Sequence, residues 1–442
     1  MGEKVKIRPF EAAKVPTCEQ DRGFDYYYDK LRDDNPEELR VLLKTRTKAV
    51  HLGNMSTYDE KQKSFRGYAQ LTSDGVFYYQ CNLVPLVIIP GEIDYLSRQK
   101  EIDREDMGKV LSSLDWLHHN QSIDIGPGIT GVFENQEGGN KQAWVKYSAE
   151  KAIAEARIYQ FLTRMTWPDQ ETKLYKERAI SHAEFLAEAA EHSFAVKYDA
   201  AGGWINNGWL SYGRAVRALN EVFKITNDNR YREFAIKYGD KLIETLIDFN
   251  GPYFRNEEGV PCFDSDIIAD PIKGLIQCHN LSGDKQYLYE AMKLKEWLIV
   301  KQLKDGAYPL RIFQDPELNK ATPRLEQLRT ILEGRTESGS ALNLVGIASP
   351  GDVANITISL IELWEATGKP SDIIPPINKG LAYCLYTQNM DKTSPVFGLS
   401  PSWRPTIGKL SPSWSSVDST YSGDQGGLIE QMYLMYIDKL FG

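Results

Sequence analysis

The sequence predicts an all-α chain folded as an (α/α)6 barrel, a ring of about six helical hairpins with buried inner helices and half-wetted outer ones. Three observations predict it. A unit of one nearly all-apolar helix, a tight turn and one amphipathic helix recurs along the chain. The turns repeat an Asp-to-Tyr spacing, and the chain ends on an apolar helix that only an early helix is left to cover.

The unit is clearest over Gly208 to Phe249. Trp209, Leu210, Tyr212, Ala215, Val216, Ala218, Leu219, Val222 and Phe223 leave almost no polar face, which requires burial nearly all round. After the turn Thr226-Asn227-Asp228-Asn229-Arg230-Tyr231, the next helix puts Phe234, Ala235, Tyr238, Leu242 and Leu246 on one side. Arg232, Glu233, Lys237, Asp240 and Lys241 fall mainly on the other. The second copy is Ile267 to Asn280, the turn Ser282-Gly283-Asp284-Lys285-Gln286-Tyr287 and an amphipathic helix through Leu298. Asp228 and Asp284 suit N-caps, where a carboxylate accepts the free amide protons of the first turn. A third copy pairs Val353–Trp364 with a helix reaching Tyr386, and a fourth pairs Tyr147–Thr163 with Gln170–Ala190. A weaker fifth pairs Val76–Leu96 with Asp103–His118, interrupted by Pro85 and Pro90. The sixth inner helix is Gly427–Leu440, and the amphipathic segment Pro36–Val50 is the outer partner that closes the ring.

The whole of residues 1–442 reads as one domain, with 1–34 as an extension packing on the ring and 391–426 as a loop cover over the bowl. That last segment nearly repeats Ser400-Pro401-Ser402-Trp403 as Ser411-Pro412-Ser413-Trp414. Long loops in a compact domain are usually functional or disordered, and exposed Trp disfavours disorder.

A hydrophobic fraction of 42% suffices for a large core. The net charge of −9 argues against nucleic acid or an anionic membrane surface as partner, since both need a basic face. No run of 18 apolar residues exists, so no membrane span is expected. The opening Met1-Gly2-Glu3-Lys4-Val5-Lys6 has no apolar stretch behind its charges. The five scattered cysteines (Cys18, Cys81, Cys262, Cys278, Cys384) fit buried reduced thiols rather than a disulfide framework or zinc site. The expectation is a cytoplasmic protein, although a trimmed leader would read the same. No cofactor and no metal is expected, and a homodimer stays open.

In such a ring the loops entering the inner helices gather at one end. They are aromatic, acidic and glycine-rich: Tyr198 to Trp209, Cys262 to Ile267 with Asp270 one turn on, Glu337 to Asn343, and Ser419 to Gly427. Trp and Tyr stack on sugar rings while Asn, Asp and Gln bond hydroxyls, which suits a small-molecule or oligosaccharide substrate. The candidate substrate-binding residues are Trp204, Asn207, Trp209, Tyr212, Glu337, Trp403 and Tyr421. The candidate catalytic residues are Asp266, Asp264 and Asp424, because paired carboxylates do acid and base work on a glycosidic bond. Each of these Asp residues also reads as a plain helix cap. His279, ending an inner helix, reads as structural, and His182 and His192 as solvent or packing residues of an outer helix. The Gly426-Gly427 pair reads as room for tight helix entry.

On these residues the chain resembles the six-hairpin glycosidase-like superfamily of (α/α)6 toroids. Locally, Asp264-Ser265-Asp266 followed by Ser282-Gly283-Asp284-Lys285-Gln286-Tyr287 is similar to the unsaturated uronyl hydrolases, as is Glu337-Ser338-Gly339-Ser340-Ala341. The resemblance implies a glycoside hydrolase in which Asp266 or Asp264 protonates the double bond of an unsaturated uronyl residue. The chain departs from that pattern where Ser265 separates two Asp residues that are adjacent there. Trp116 to Gln121 is faintly similar to a segment of uronyl C5-epimerases. Three other functions remain open. One is a uronate lyase or epimerase using Tyr212, Tyr421 or His279, with Arg214, Arg404 or Lys273 neutralising the carboxylate. The others are a terpenoid or lipid cyclase or dehydratase-isomerase with one Asp acid in an apolar bowl, and a silent glycan- or peptide-binding ring.

Overall fold

The computed structural model describes residues 22–33, 35–72, 75–79, 83–133, 141–206, 211–248, 254–255, 261–315, 347–401, 404–405 and 420–441. Its helices run in chain order as α1 (Phe24–Lys30), α2 (Pro36–Ser56), α3 (Pro85–Leu96), α4 (Arg104–Gln121), α5 (Val145–Arg164), α6 (Asp169–Glu191) and α7 (Tyr212–Thr226). They continue as α8 (Asn229–Asp248), α9 (Ser265–Ser282), α10 (Lys285–Lys301), α11 (Pro350–Ala366), α12 (Ile374–Thr387) and α13 (Gly423–Phe441).

The inner ring is α3, α5, α7, α9, α11 and α13, each packed on the next, and α13 returns to α3 to close it. The outer ring is α4, α6, α8, α10 and α12, each against the inner helix of its own hairpin, with α2 covering α13. The terminal inner helix is thus covered by the first long helix, and the ring is a closed (α/α)6 toroid. Closure depends on two close approaches between inner helices. A Cβ on Gly427 would stand 2.2 Å from the Val87 carbonyl, and one on Gly213 would stand 2.2 Å from the Asp270 carbonyl. Glycine at these points lets α13 touch α3 and α7 touch α9, backbone to backbone.

The burial pattern follows the alternation in the sequence. From Pro350 to Ile361 every residue of α11 is buried, whereas α10 buries Tyr287, Ala291, Leu294 and Leu298 along one stripe. Asp284 caps α10 by accepting from the Gln286 amide at 2.8 Å, and Asp228 accepts from the Arg230 amide at 2.9 Å. The weak fifth hairpin differs from expectation at its start. Gly75–Tyr79 is a strand paired with Tyr68–Thr72, and the inner helix begins only at Pro85. The physical reason lies in Pro85: its fixed φ suits a helix start and its missing amide is one the first turn leaves unpaired, whereas Pro90 lies inside the helix.

The loops entering the inner helices are tied by short antiparallel sheets. Gln142–Trp144, Lys197–Asp199 and Gly203–Ile205 join the inlets of α5 and α7, and Thr420–Ser422 ahead of α13 pairs with Tyr68–Thr72 ahead of α3. Helix α1 lies on α12, with Tyr27 buried beneath the Arg46 guanidinium. Within the 391–426 segment, Val396 and Phe397 are buried, and Phe397 packs on Ala49 and Met390. Residues 1–21 and 406–419 lie outside the description. No described helix is long and apolar enough to cross a membrane. Cys262, Cys278 and Cys384 are buried.

Candidate active site in the bowl

A cavity opens on the ring axis, lined by all six inner helices near the ends where their inlet loops meet. The concavity takes in about 580 Å³, counting the part open to solvent. One wall is aliphatic: Leu86, Val87 and Pro90 from α3 with Leu428 from α13. The other is ionic: Glu150 and Arg157 from α5, Arg214 and Arg217 from α7, Asp270 and Lys273 from α9, and Asn355 from α11.

The ionic wall follows from helix geometry. Arg214 and Arg217 are three residues apart on α7, as are Asp270 and Lys273 on α9, so each pair shares one face. The contact at Gly213 then brings the two faces together. Arg214 Nε donates to Asp270 Oδ2 at 2.5 Å, Arg217 Nη1 lies 3.2 Å from Asp270 Oδ1, and Arg214 also pairs with Glu150. Asp270 therefore sits between two guanidinium groups, and Arg214 between two carboxylates.

Lys273 is different. It is 2% exposed, its Nζ donates to the Asn355 amide oxygen, and among the described residues no carboxylate pairs with it. Burial, followed by repulsion from Arg217, pushes its ammonium down to about 7. The amine can give or take a proton near neutrality, which is what general acid–base work requires. The N-termini of six inner helices point toward this end of the ring and add positive potential.

The sequence-derived candidates fall in several places. Asp264 and Asp266 open α9 and Asp424 opens α13, so all three belong to the cavity end of the ring. The side chains of Asp266 and Asp424 lie outside the description. Asp264 is buried, lies in register opposite Arg311, and accepts from it at 2.8 and 3.0 Å. Trp204 stands in the sheet entering α7, where it stacks on His192 and packs against Phe185 and Tyr198. Tyr212 is buried at the start of α7 and donates its hydroxyl to the Phe194 carbonyl at 3.2 Å. The backbone of Tyr421 pairs with Ala69, while its side chain lies outside the description. Asn207, Trp209, Glu337 and Trp403 also lie outside the described residues.

None of the described candidates lines the cavity, whose described lining holds no aromatic side chain. Arg214 and Lys273, considered from the sequence as carboxylate partners, do line it. Glu150, Arg157, Arg217 and Asn355 were missed. The usable signal was charge at three-residue spacing on helices otherwise apolar all round. His279 bonds the Asp284 backbone at 2.9 Å across the turn to α10, in keeping with its structural reading.

No protein-family model matches this sequence, and no curated protein matches it. Solved structures do resemble it. A sugar epimerase from a ruminal bacterium superposes with a TM-score of 0.63 at 12% identity, covering 91% of this chain and 98% of its own. Cellobiose 2-epimerase from Bacillus thermoamylovorans gives 0.63 at 10% identity, covering 94% and 99%. An unsaturated glucuronyl hydrolase specific for heparin gives 0.56 at 11% identity, covering 90% and 97%. Agreement over nearly the whole length of each chain, at identities this low, establishes the architecture: this chain has the six-hairpin (α/α)6 toroid fold.

Proposed function

We propose that this chain is a carbohydrate-active enzyme acting on an acidic saccharide, with the substrate carboxylate received by the ionic wall of the bowl. The observation that carries this reading is the charge balance of the cavity. Its lining holds three arginines and Lys273 against two acidic side chains; both acidic ones pair with Arg214, Arg157 also pairs with Asp94, and Lys273 is the amine that burial brings near neutrality. Helix N-termini add to the same sign, so an anionic sugar fits better than a neutral one. The aliphatic wall suits the apolar face of a pyranose ring. The names of the similar structures, a sugar epimerase, a cellobiose epimerase and a glucuronyl hydrolase, are in keeping with a sugar substrate.

For the reaction, Lys273 favours proton transfer, the lyase or epimerase class. A neutral amine would take the proton next to the substrate carboxylate while Arg214 and Arg217 steady the charge that develops there. Hydrolysis of an unsaturated uronyl residue is the second reading. It rests on Asp266 and Asp424 at the helix starts around the bowl, with Asp264 held by Arg311. The ionic wall weighs against an apolar terpenoid bowl, and the shifted Lys273 weighs against a silent binding ring.

The test is incubation in deuterated water with saturated and unsaturated oligouronides, neutral glycans and prenyl alcohols, reading products by mass. The expected result is turnover of uronides alone, an epimerase product carrying solvent deuterium on the carbon next to the carboxylate and a lyase product carrying a new double bond there without deuterium. Loss of the unsaturated sugar as a keto acid would favour the hydrolase. Turnover confined to neutral substrates would overturn the acidic-sugar reading.

A further inference from the structure

Away from the bowl, in the wall between the rings, His118 of α4, Glu155 of α5 and His182 of α6 meet. Each brings a potential metal-binding atom, all within 4.8 Å of one another. Glu155 and His182 are fully buried, and His118 is half-buried at the outer edge. Both Glu155 oxygens, His182 Nε2 and His118 Nδ1 are buried with no hydrogen-bond partner in the protein. Buried polar atoms are rarely left so, and one from each of three residues meeting within 4.8 Å calls for a common partner.

The tautomer of His182 narrows what that partner is. Its Nδ1 donates to the Thr130 carbonyl at 2.7 Å, which leaves Nε2 as a bare lone pair facing Glu155 Oε2 at 3.6 Å. Two acceptors at that distance share no hydrogen bond. A backbone carbonyl holding the far nitrogen is how metal-ligating histidines are commonly oriented. The 3.6 Å gap is close to the roughly 3.4 Å edge of a tetrahedron with bonds of about 2.1 Å to nitrogen and oxygen. A single water has two protons for this set of acceptors, whereas a divalent cation satisfies all of them at once. Lys151 is the internal competitor for Glu155. Its ammonium is 3.9 Å from Oε1 and donates instead to Ser122 Oγ at 2.8 Å.

We propose that His118, Glu155 and His182 form a binding site for a divalent transition metal of the zinc class, stapling inner helix α5 to outer helices α4 and α6. Two histidines and one carboxylate leave one position for water, and the half-buried His118 marks the entry path. The site is separate from the bowl and stands or falls independently of the proposed reaction.

Chelator-treated full-length protein, titrated with Zn²⁺ and separately with Co²⁺, tests it by bound metal, cobalt absorption and Tm. The expected result is one equivalent of metal bound, a four-coordinate cobalt spectrum without thiolate charge transfer, and a Tm raised by Zn²⁺. Glu155→Gln and the edge variant His118→Gln should each weaken binding at least about tenfold, while His119→Gln, next to the site, should not. Lys151→Met should hold the metal as tightly as wild type or more so. No binding at micromolar Zn²⁺, or binding that His118→Gln leaves unchanged, would overturn the site. Should Glu155→Gln fail to fold, His118→Gln and Lys151→Met still decide the matter.

Discussion

Two buried ionic clusters in this ring are built from similar residues and do different things. On the axis, Arg214, Arg217, Asp270 and Lys273 face a cavity. In the wall, His51 of α2 lies between carboxylates of two other helices. Its Nδ1 is 2.6 Å from Glu92 Oε2 and its Nε2 is 3.2 Å from Asp106 Oδ2. Asn54 donates to the other Glu92 oxygen at 2.7 Å, Tyr95 stacks on the imidazole, and Glu430 of α13 stands behind Glu92. In this wall cluster His51 answers Glu92 and Asp106, while both Glu430 oxygens are buried without a hydrogen-bond partner among the described residues and burial beside Glu92 favours its protonated, uncharged form. The axis cluster keeps Lys273 without a carboxylate partner among the described residues, in the lining of the cavity. The comparison teaches that burial of charge is not itself the mark of a site; an uncompensated charge at a cavity is.

Lys273→Met and His51→Gln pull the two clusters apart. Lys273→Met should lower kcat on the uronide substrate by about a hundred- to ten-thousand-fold, the usual worth of a general acid or base. Its Tm should be no lower than wild type, because an apolar chain of similar size replaces a desolvated amine. Unchanged kcat would remove Lys273 from the reaction. His51→Gln should do the reverse. It leaves the buried Glu92 without its cation, while Lys109 still pairs with Asp106 at 3.4 Å, and breaking a buried pair costs about 3–5 kcal/mol. Denaturant unfolding should show the loss, while the folded enzyme keeps its kcat.

The wall cluster should also make stability depend on pH. Burial alone would lower the His51 pKa, but attraction to Glu92 and the bond to Asp106 carry it up to about 9. A raised pKa means the folded state holds the proton more tightly than the unfolded chain. The contribution is therefore complete below about 6.5 and disappears as pH climbs through about 9, roughly 3 kcal/mol in all. Melts across that window should show the decline in wild type and not in His51→Gln. The smallest effect belongs to the turns: Asp284→Ala removes a cap on α10 and should cost about 1 kcal/mol, with activity untouched.

The hairpin rhythm and the ring's closure were legible in the sequence because both follow from helical periodicity. The start of α3 was misplaced because an apolar run before a proline reads alike as strand or helix. The candidate site was legible only in part. Searching the inlet loops for sugar-binding chemistry led to Trp204, which packs on His192, and to Asp264, which pairs with Arg311. The cavity lining lies one or two turns inside the helices, at Glu150, Arg214, Arg217, Asp270 and Lys273. Charges at three-residue spacing on apolar helices pointed there, yet which helix faces which is a matter of tertiary packing.

By itself, then, the sequence determined which helices are inner and which are outer, because a helix without a polar face has to be surrounded. It also determined the turns, because caps and glycines act locally. Only the tertiary structure decided which charges meet. Arg214 reaches Asp270 because Gly213 lets α7 lie against α9, and a contact between residues 56 positions apart leaves no periodic trace in the chain.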